Sequence, residues 1–489
     1  MSNPLDGLQF PIYSKTQKVS TSRTGKEIIA EALANVDHQS SVTALTEKNW
    51  RKQYPRYFKS LVEFGIRNQI APIQMAQDGL NKAHNVFEFY RDGQKHLLKD
   101  VMSLKTTPLH TIKLKGESDA APEWSVPYKG QQLKGGALLA QIQTWLDAGV
   151  IEPSHAEALI ACVEHPEWFD LSDRTMVLFG AASEAGPLTW LAQWKANIVA
   201  VDLPNSRVWG KILDTIQHGN ATLYAPSVEA LSAETPVSVL KEKLGANLLT
   251  QVPEIAQWLV QNPHQLDLAA IAYLDGEKHV RVSVAMDAIM QYVSAQKADT
   301  SLMYMCTPTD VYAVPEEVIT ASEQKFIGRS KTQQMISKSI STLSGQLFFK
   351  KNLHDLVESD NTKSYGITDC LVIEQGPNYA LAKRIQQWRA TLARSEGQRV
   401  SINIAPSTTT HSVTKNMAAL WIHDLRNPAS VANPQNKLEH PLELMMHGAN
   451  HGGLWRVAYL ARTALPFAAL YGFAADKLPL DKVWAKFKK

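Results

Sequence analysis

Cysteine is scarce in this chain: Cys162, Cys306 and Cys370 are its only three in 489 residues. They lie far apart, make no CxxC motif and offer at most one disulfide, which argues against a disulfide scaffold and fits a reducing, cytoplasmic setting. Excess charge of one sign is also missing. Lys and Arg total 50 against 47 Asp and Glu, a formal net charge of +3. With no run of basic residues resembling a nucleic-acid-binding arm, DNA and RNA are not expected partners. No apolar run reaches the roughly 18–20 residues needed to cross a bilayer. The nearest, 464–475, is followed by Lys477, Lys482, Lys486, Lys488 and Lys489. It reads as a core helix with a solvated basic end, a weak membrane-surface contact being the alternative. The first residues lack the basic and apolar regions of a secretory signal. GxSxG, GxxxxGK[ST] and HExxH motifs do not occur, which lowers the hydrolase, NTPase and metalloprotease readings.

What the chain does have is apolar mass. Hydrophobic residues make up 44% of it, enough for a large core, and the length exceeds the roughly 100–200 residues of one domain. Residues 1–170 read as a mainly helical region, with apolar residues at helical spacing over 25–34, 57–66, 136–147 and 155–162. The stretch 105–135, richer in Gly, Pro and Lys, reads as loop or short strands. At Arg174 the texture changes. Short apolar runs at 175–179, 197–202, 221–224, 268–274, 301–306 and 400–405 alternate with helical stretches. That alternation predicts an α/β fold, a Rossmann-like doubly wound parallel sheet covered by helices on both faces, spanning 171–415. An insertion at about 310–375 precedes the last helix and strand, and 416–489 reads as a helical C-terminal region.

The first strand runs into Gly180, Ala182, Ser183, Glu184 and Gly186. Small residues here allow close approach of a phosphate, and a helix starting in this loop would aim backbone N–H groups and a positive dipole end at it. Asp202, at the end of the second strand, is placed to bind the ribose hydroxyls of a dinucleotide. A carboxylate there repels a 2′-phosphate, favouring NAD(H) over NADP(H), with Arg207 nearby to soften the preference. A methyltransferase using S-adenosylmethionine employs a similar loop and acid, so this segment does not separate the two classes.

Tyr379 and Lys383 open a long helical stretch that leads into the last strand. Four apart on a helix, they point the same way. An ammonium near the phenol lowers its pKa and makes it usable as an acid or base near neutrality. The strand that follows ends at Ala405 and Pro406, with Ser407, Thr408, Thr409 and Thr410 after it. This arrangement resembles the short-chain dehydrogenase/reductase family over roughly 174–306 and 375–415. The resemblance implies that Tyr379 exchanges a proton with a carbonyl or alcohol oxygen. It implies that Lys383 tunes Tyr379 and holds the nicotinamide ribose, and that Thr307 or Thr309 polarises the carbonyl where the family carries Ser. Pro406 and Thr408 would lie along the nicotinamide. The chain departs from the family in its altered glycine loop. It carries Tyr273, Leu274, Asp275 and Gly276 where the family has Asn-Ala-Gly, and the proton-relay Asn has no clear match, Ser283 and Asp287 lying nearby. These departures mark a divergent, extended member.

The expected activity is therefore NAD(P)-dependent reduction of a carbonyl or oxidation of an alcohol. The large additions point to a bulky substrate, lipid-like or acyl. A methyltransferase and a non-catalytic dinucleotide-sensing scaffold are the alternatives. His447 and His451 have the i, i+4 spacing of a metal pair on a helix, but Gly448, Gly452 and Gly453 argue against a helix there. A loop near the active site, with Asn450, Trp455 and Arg456, fits that segment better, and no metal is expected.

Overall fold

A computed structural model describes residues 6–149, 151–184, 186–352, 356–404, 411–448, 457–467 and 470. Its centre is a seven-stranded sheet. In chain order the strands are β1 (His110–Lys115), β2 (Thr175–Phe179), β3 (Asn197–Val201), β4 (Thr222–Ser227), β5 (Leu266–Ala270), β6 (Ser301–Cys306) and β7 (Arg399–Ile404). Across the sheet they run β7-β6-β5-β2-β3-β4-β1. Every neighbouring pair is parallel except β4 with β1. The order reverses between β5 and β2, a crossover compatible with a Rossmann-like sheet.

Why the strands read as nearly continuous apolar runs is visible in their two faces. Val177, Phe179, Leu268, Ala270, Leu302 and Tyr304 pack into one core, and Met176, Leu178, Ala269, Met303 and Met305 into a second on the opposite side. Period-two alternation puts successive side chains on opposite faces, and here both faces are buried. The edge strand β1 is different. Only Ile112 of its six residues is buried, as suits a strand with one neighbour.

The first core lies under two long helices, α5 (Glu277–Gln296) and α6 (Gly376–Ser395). Outside them sits a further layer from the start of the chain: α1 (Thr21–Ala34), α2 (Trp50–Arg67) and α3 (Ala71–Val86). Ile28, Leu33, Met75 and Leu80 share one buried cluster with Leu381, Ile385 and Trp388 of α6. The fit is close. A Cβ on Gly79 of α3 would meet the Trp388 indole at 2.5 Å, so a side chain there would force the two helices apart. The second face carries α4 (Ser206–Gln217), whose Asn205 caps the amides of Arg207 and Val208, and α7 (His411–Arg426). Between β6 and α6, residues Val311–Pro315, Val357–Glu358 and Ser364–Asp369 form a small antiparallel sheet flanked by helices at Glu316–Ile327 and Lys331–Leu343. Among the described residues no helix is long and apolar enough to cross a membrane.

Candidate functional site

At the crossover, where open parallel sheets bind ligands beyond their C-terminal strand ends, lies a cleft of about 1120 Å³. Its walls include Gly180, Ala182, Ser183 and Glu184 after β2, Asp202 after β3, Ala272 and Tyr273 after β5, Met305 of β6, and Tyr379 and Lys383 of α6. Residues 200 apart in sequence are thus brought to one cavity by the strand order alone.

The Gly180 loop turns sharply. Gly180 has φ +87°, and a Cβ on it would stand 2.6 Å from Ala272 Cα. Only glycine fits this close crossing of the β2 and β5 ends. Asp202 holds the loop: one carboxylate oxygen accepts from the Ala182 amide at 2.8 Å, the other from the Leu203 amide at 2.8 Å. Burial raises the Asp202 pKa, and these two amides pull it back in part. Gly186, expected to bind the cofactor, is buried and not on the cleft wall, and a Cβ on it would stand 3.0 Å from Ile271 Cδ1.

The helix expected to start in this loop is cut to a single turn, Leu188–Leu191. The loop through Pro187 consumes much of the connection to Asn197, and the loop amides are spent internally. Ser183 donates to Gly180 and Gly186 to Ser183, each at 2.9 Å. The dipole contribution expected of a helix N-terminus is therefore small here.

Tyr379 and Lys383 lie on the first turns of α6, which Gly376 and Pro377 open. The Thr307 hydroxyl lies near enough to the Tyr379 phenol to favour its ionised form. Thr307 in turn shares a 2.9 Å hydrogen bond with Thr309, whose backbone amide donates to Thr307 Oγ1 at 3.2 Å. Thr307 lies on the phenol side and Thr309 behind it, and neither is on the cleft wall where the sequence placed a carbonyl-polarising hydroxyl. The expectation that Lys383 lowers the Tyr379 pKa is corrected. Burial raises the phenol, only partly opposed by Thr307. The Lys383 ammonium points instead at the end of β6, donating to the Met305 carbonyl at 2.9 Å and to Gln386 Oε1 at 3.3 Å. Burial brings Lys383 itself down to about 8. Pro406 and Thr408 lie outside the described residues, as do Asn450, His451, Trp455 and Arg456. His447 is exposed at the end of a short helix, and the described residues contain no cluster of His, Cys, Asp or Glu able to hold a metal ion.

Sequence reasoning missed two groups. His279, on the first turn of α5, is 1% exposed, and its ring stacks on Tyr379 with centroids 5.4 Å apart. Neither ring nitrogen has a hydrogen-bond partner among the described residues. Burial and the nearby Lys383 charge hold its pKa down to about 3, so the imidazole is neutral at physiological pH. Tyr273, 55% exposed at the cleft rim, leans on His279 at 4.7 Å. The signal for both was the replacement of Asn-Ala-Gly after β5.

The second missed group is a buried clamp. Asp310 accepts from Arg384 Nη2 and from Gln387 Nε2, both at 3.0 Å. It fixes the turn bearing Thr307 and Thr309 to the helix bearing Tyr379 and Lys383.

No protein-family model, curated protein or solved structure matches the chain.

Proposed function

We propose that the chain is an NAD(P)-dependent oxidoreductase that reduces a carbonyl or oxidises an alcohol. The observation that carries this reading is the shared cleft, in which a glycine-turn loop and an acid at a sheet crossover meet a half-buried tyrosine and a buried lysine. The cleft is roomy enough for a dinucleotide's nicotinamide end beside a substrate, and Asp202 faces the region where an adenosine ribose would lie. A bound nicotinamide would supply or accept the hydride. The remaining work falls to side chains. Tyr379 gives a proton to the substrate oxygen, the Thr307 hydroxyl nearby eases its ionisation, and Lys383 supplies positive charge at the cleft. The bulky, lipid-like or acyl substrate remains part of the proposal, resting on the size of the additions.

Titration of the purified protein with NADH, NADPH and S-adenosylmethionine tests this directly. Nicotinamide binding is the expected result, and binding of S-adenosylmethionine alone would overturn it. Asp202 sets the choice between the two nicotinamides. Asp202→Asn keeps an acceptor for the Ala182 amide but removes the charge that repels a 2′-phosphate. The preference for NADH over NADPH should fall by about tenfold, worth about 1.4 kcal/mol, read from the two dissociation constants.

Lys383 predicts a pH dependence. Its ammonium form exists below the lowered pKa of about 8 and disappears above it. Carbonyl reduction, measured as kcat/KM with ethyl acetoacetate as a carbonyl probe, should decline as pH rises through that value. Lys383→Met, similar in length and uncharged, should be slower and show no such inflection. An inflection that survives in Lys383→Met would assign it to another group.

A further inference from the structure

The insertion between β6 and α6 concentrates positive charge that the chain as a whole lacks. Between Glu323 and Asp355 stand Lys325, Arg329, Lys331, Lys338, Lys350 and Lys351, with no Asp or Glu among them. The formal net charge of the whole chain is only +3, so the remainder is net acidic. Within this basic stretch lies the helix Lys331–Leu343. Its start is well capped: Ser330 Oγ accepts from the Gln333 amide at 3.2 Å, and Gln333 Oε1 accepts from the Ser330 amide at 3.1 Å. The helix is amphipathic, yet it sits the opposite way round from a core helix. Met335, Ile336, Ile340 and Leu343 share an arc of about 140°. Met335 is 66% exposed and Leu343 89%, while Ile336 is exposed and Ile340 half-buried. The side turned to the protein is small and polar. Ser337 is the helix's one buried residue and accepts from Arg329 Nη1 at 2.9 Å, with Ser341 one turn further on the same side. Lys331 and Lys338, both exposed, fall on one border of the apolar arc.

Ile327 ahead of this helix and Leu347 behind it are exposed as well. The base beneath them is firm. The Arg329 guanidinium lies 3.7 Å over the Phe326 ring and donates to the Tyr459 hydroxyl. Phe349 packs on Tyr459 at 5.1 Å and on Phe467 at 4.8 Å. Phe467 belongs to the apolar run 464–475 that precedes the C-terminal lysines, so that run begins against the insertion. Apolar side chains grouped on one outward face of a folded base mark an interaction surface, and charge separates its possible occupants. A second copy of the chain would set six basic residues against six. A soluble polyanion would satisfy the lysines and leave Met335 and Leu343 in water. An anionic bilayer satisfies both, with ammonium groups at the phosphates and the apolar arc below them. The 13 residues of the helix extend about 20 Å, which suits a helix lying in the interface plane.

We propose that the insertion docks the protein on an anionic bilayer surface. The helix Lys331–Leu343 lies in the plane of the interface, with Met335, Ile336 and Leu343 below the lipid phosphates and Lys331 and Lys338 level with them. This surface is separate from the Tyr379 cleft and its use requires neither cofactor nor reaction, so the proposal stands or falls independently of the oxidoreductase reading.

Flotation of the full chain with vesicles tests it. Vesicles of phosphatidylcholine with about 30 mol% phosphatidylserine should bind the protein about tenfold or more tighter than phosphatidylcholine alone, and high salt should weaken the binding. Met335→Ser with Leu343→Ser should weaken it about tenfold. Both positions are exposed, so the thermal melt of this double variant should match wild type. Lys331→Gln with Lys338→Gln should weaken binding to the anionic vesicles by a similar factor. Depth is read separately. The three native cysteines are buried, so an environment-sensitive dye on Met335→Cys reports the helix, and its emission should shift to the blue on anionic vesicles. Failure of wild type to float with anionic vesicles, a dye that stays in water, or binding unchanged in Met335→Ser with Leu343→Ser would overturn the proposal. Self-association that the double variant abolishes, with no vesicle binding, would assign the patch to a second copy. Retention of polyglutamate with no vesicle binding would assign it to an acidic protein. Either result overturns the membrane reading.

Discussion

Tyr379→Phe is expected to lower kcat for carbonyl reduction by roughly 10²–10⁴-fold, the usual contribution of a positioned proton donor. The substitution is mild in every other respect. Phe keeps the ring that stacks on His279 at 5.4 Å and leaves the burial of α6 untouched. Only the phenol hydroxyl is lost, and with it the influence of the neighbouring Thr307. Dissociation constants for NADH should therefore stay within about twofold, since a ring retained in place costs little. The measurement is a pair: steady-state turnover of the carbonyl probe and calorimetric titration of the cofactor. Turnover near the wild-type rate would remove Tyr379 from the mechanism. Cofactor binding without turnover in either form would favour the dinucleotide-sensing scaffold.

Asp287→Ala should cost about 3–5 kcal/mol of stability, the range for removing one partner of a buried ion pair. Arg389 is buried and makes two hydrogen bonds to Asp287, and His84 makes a third. One carboxylate therefore ties α3, α5 and α6 together. Burial alone would raise its pKa, but the Arg389 charge and the His84 contact outweigh burial and hold it well below the usual carboxylate range. The sign follows from that depressed value. The stabilisation is fully present above the unfolded-state pKa of about 3.9 and is lost as pH falls through the folded-state value. Denaturant melts should therefore show the largest gap between wild type and Asp287→Ala near neutrality, narrowing in acid. A gap under about 1 kcal/mol at pH 7, typical of an exposed pair, would mean that the Arg389 guanidinium leaves Asp287 for solvent.

The alternation of β2 to β7 with helices was legible because strands buried on both faces leave unbroken apolar runs such as Thr175–Phe179 and Leu266–Ala270. β1 was legible only as one of the short strands that 105–135 offered, because an edge strand with Ile112 buried and Leu114 half-buried carries little pattern, and its partner lies about a hundred residues on. The loop and the Tyr379 helix could be read from residue type and spacing. The short turn after the loop could not, since its length is set by where Asp202 and the end of β5 hold Gly180. His279 and Asp310 were invisible for a different reason. A lone histidine or aspartate announces nothing until its neighbours are known, and theirs come from α6, about 75–100 residues later.

The helical layer formed by the start of the chain has a consequence for its biosynthesis. Ile28, Leu33, Met75 and Leu80 are covered by α6, which leaves the ribosome about 300 residues after α3. At about 5–20 residues per second, those apolar faces wait roughly 15–60 s for their cover. During that interval the nascent chain presents sticky helices with no permanent partner, and a holding chaperone has a defined surface to grip. Release can begin when α6 emerges, so ribosomes stalled before and after residue 395 should differ sharply in chaperone occupancy.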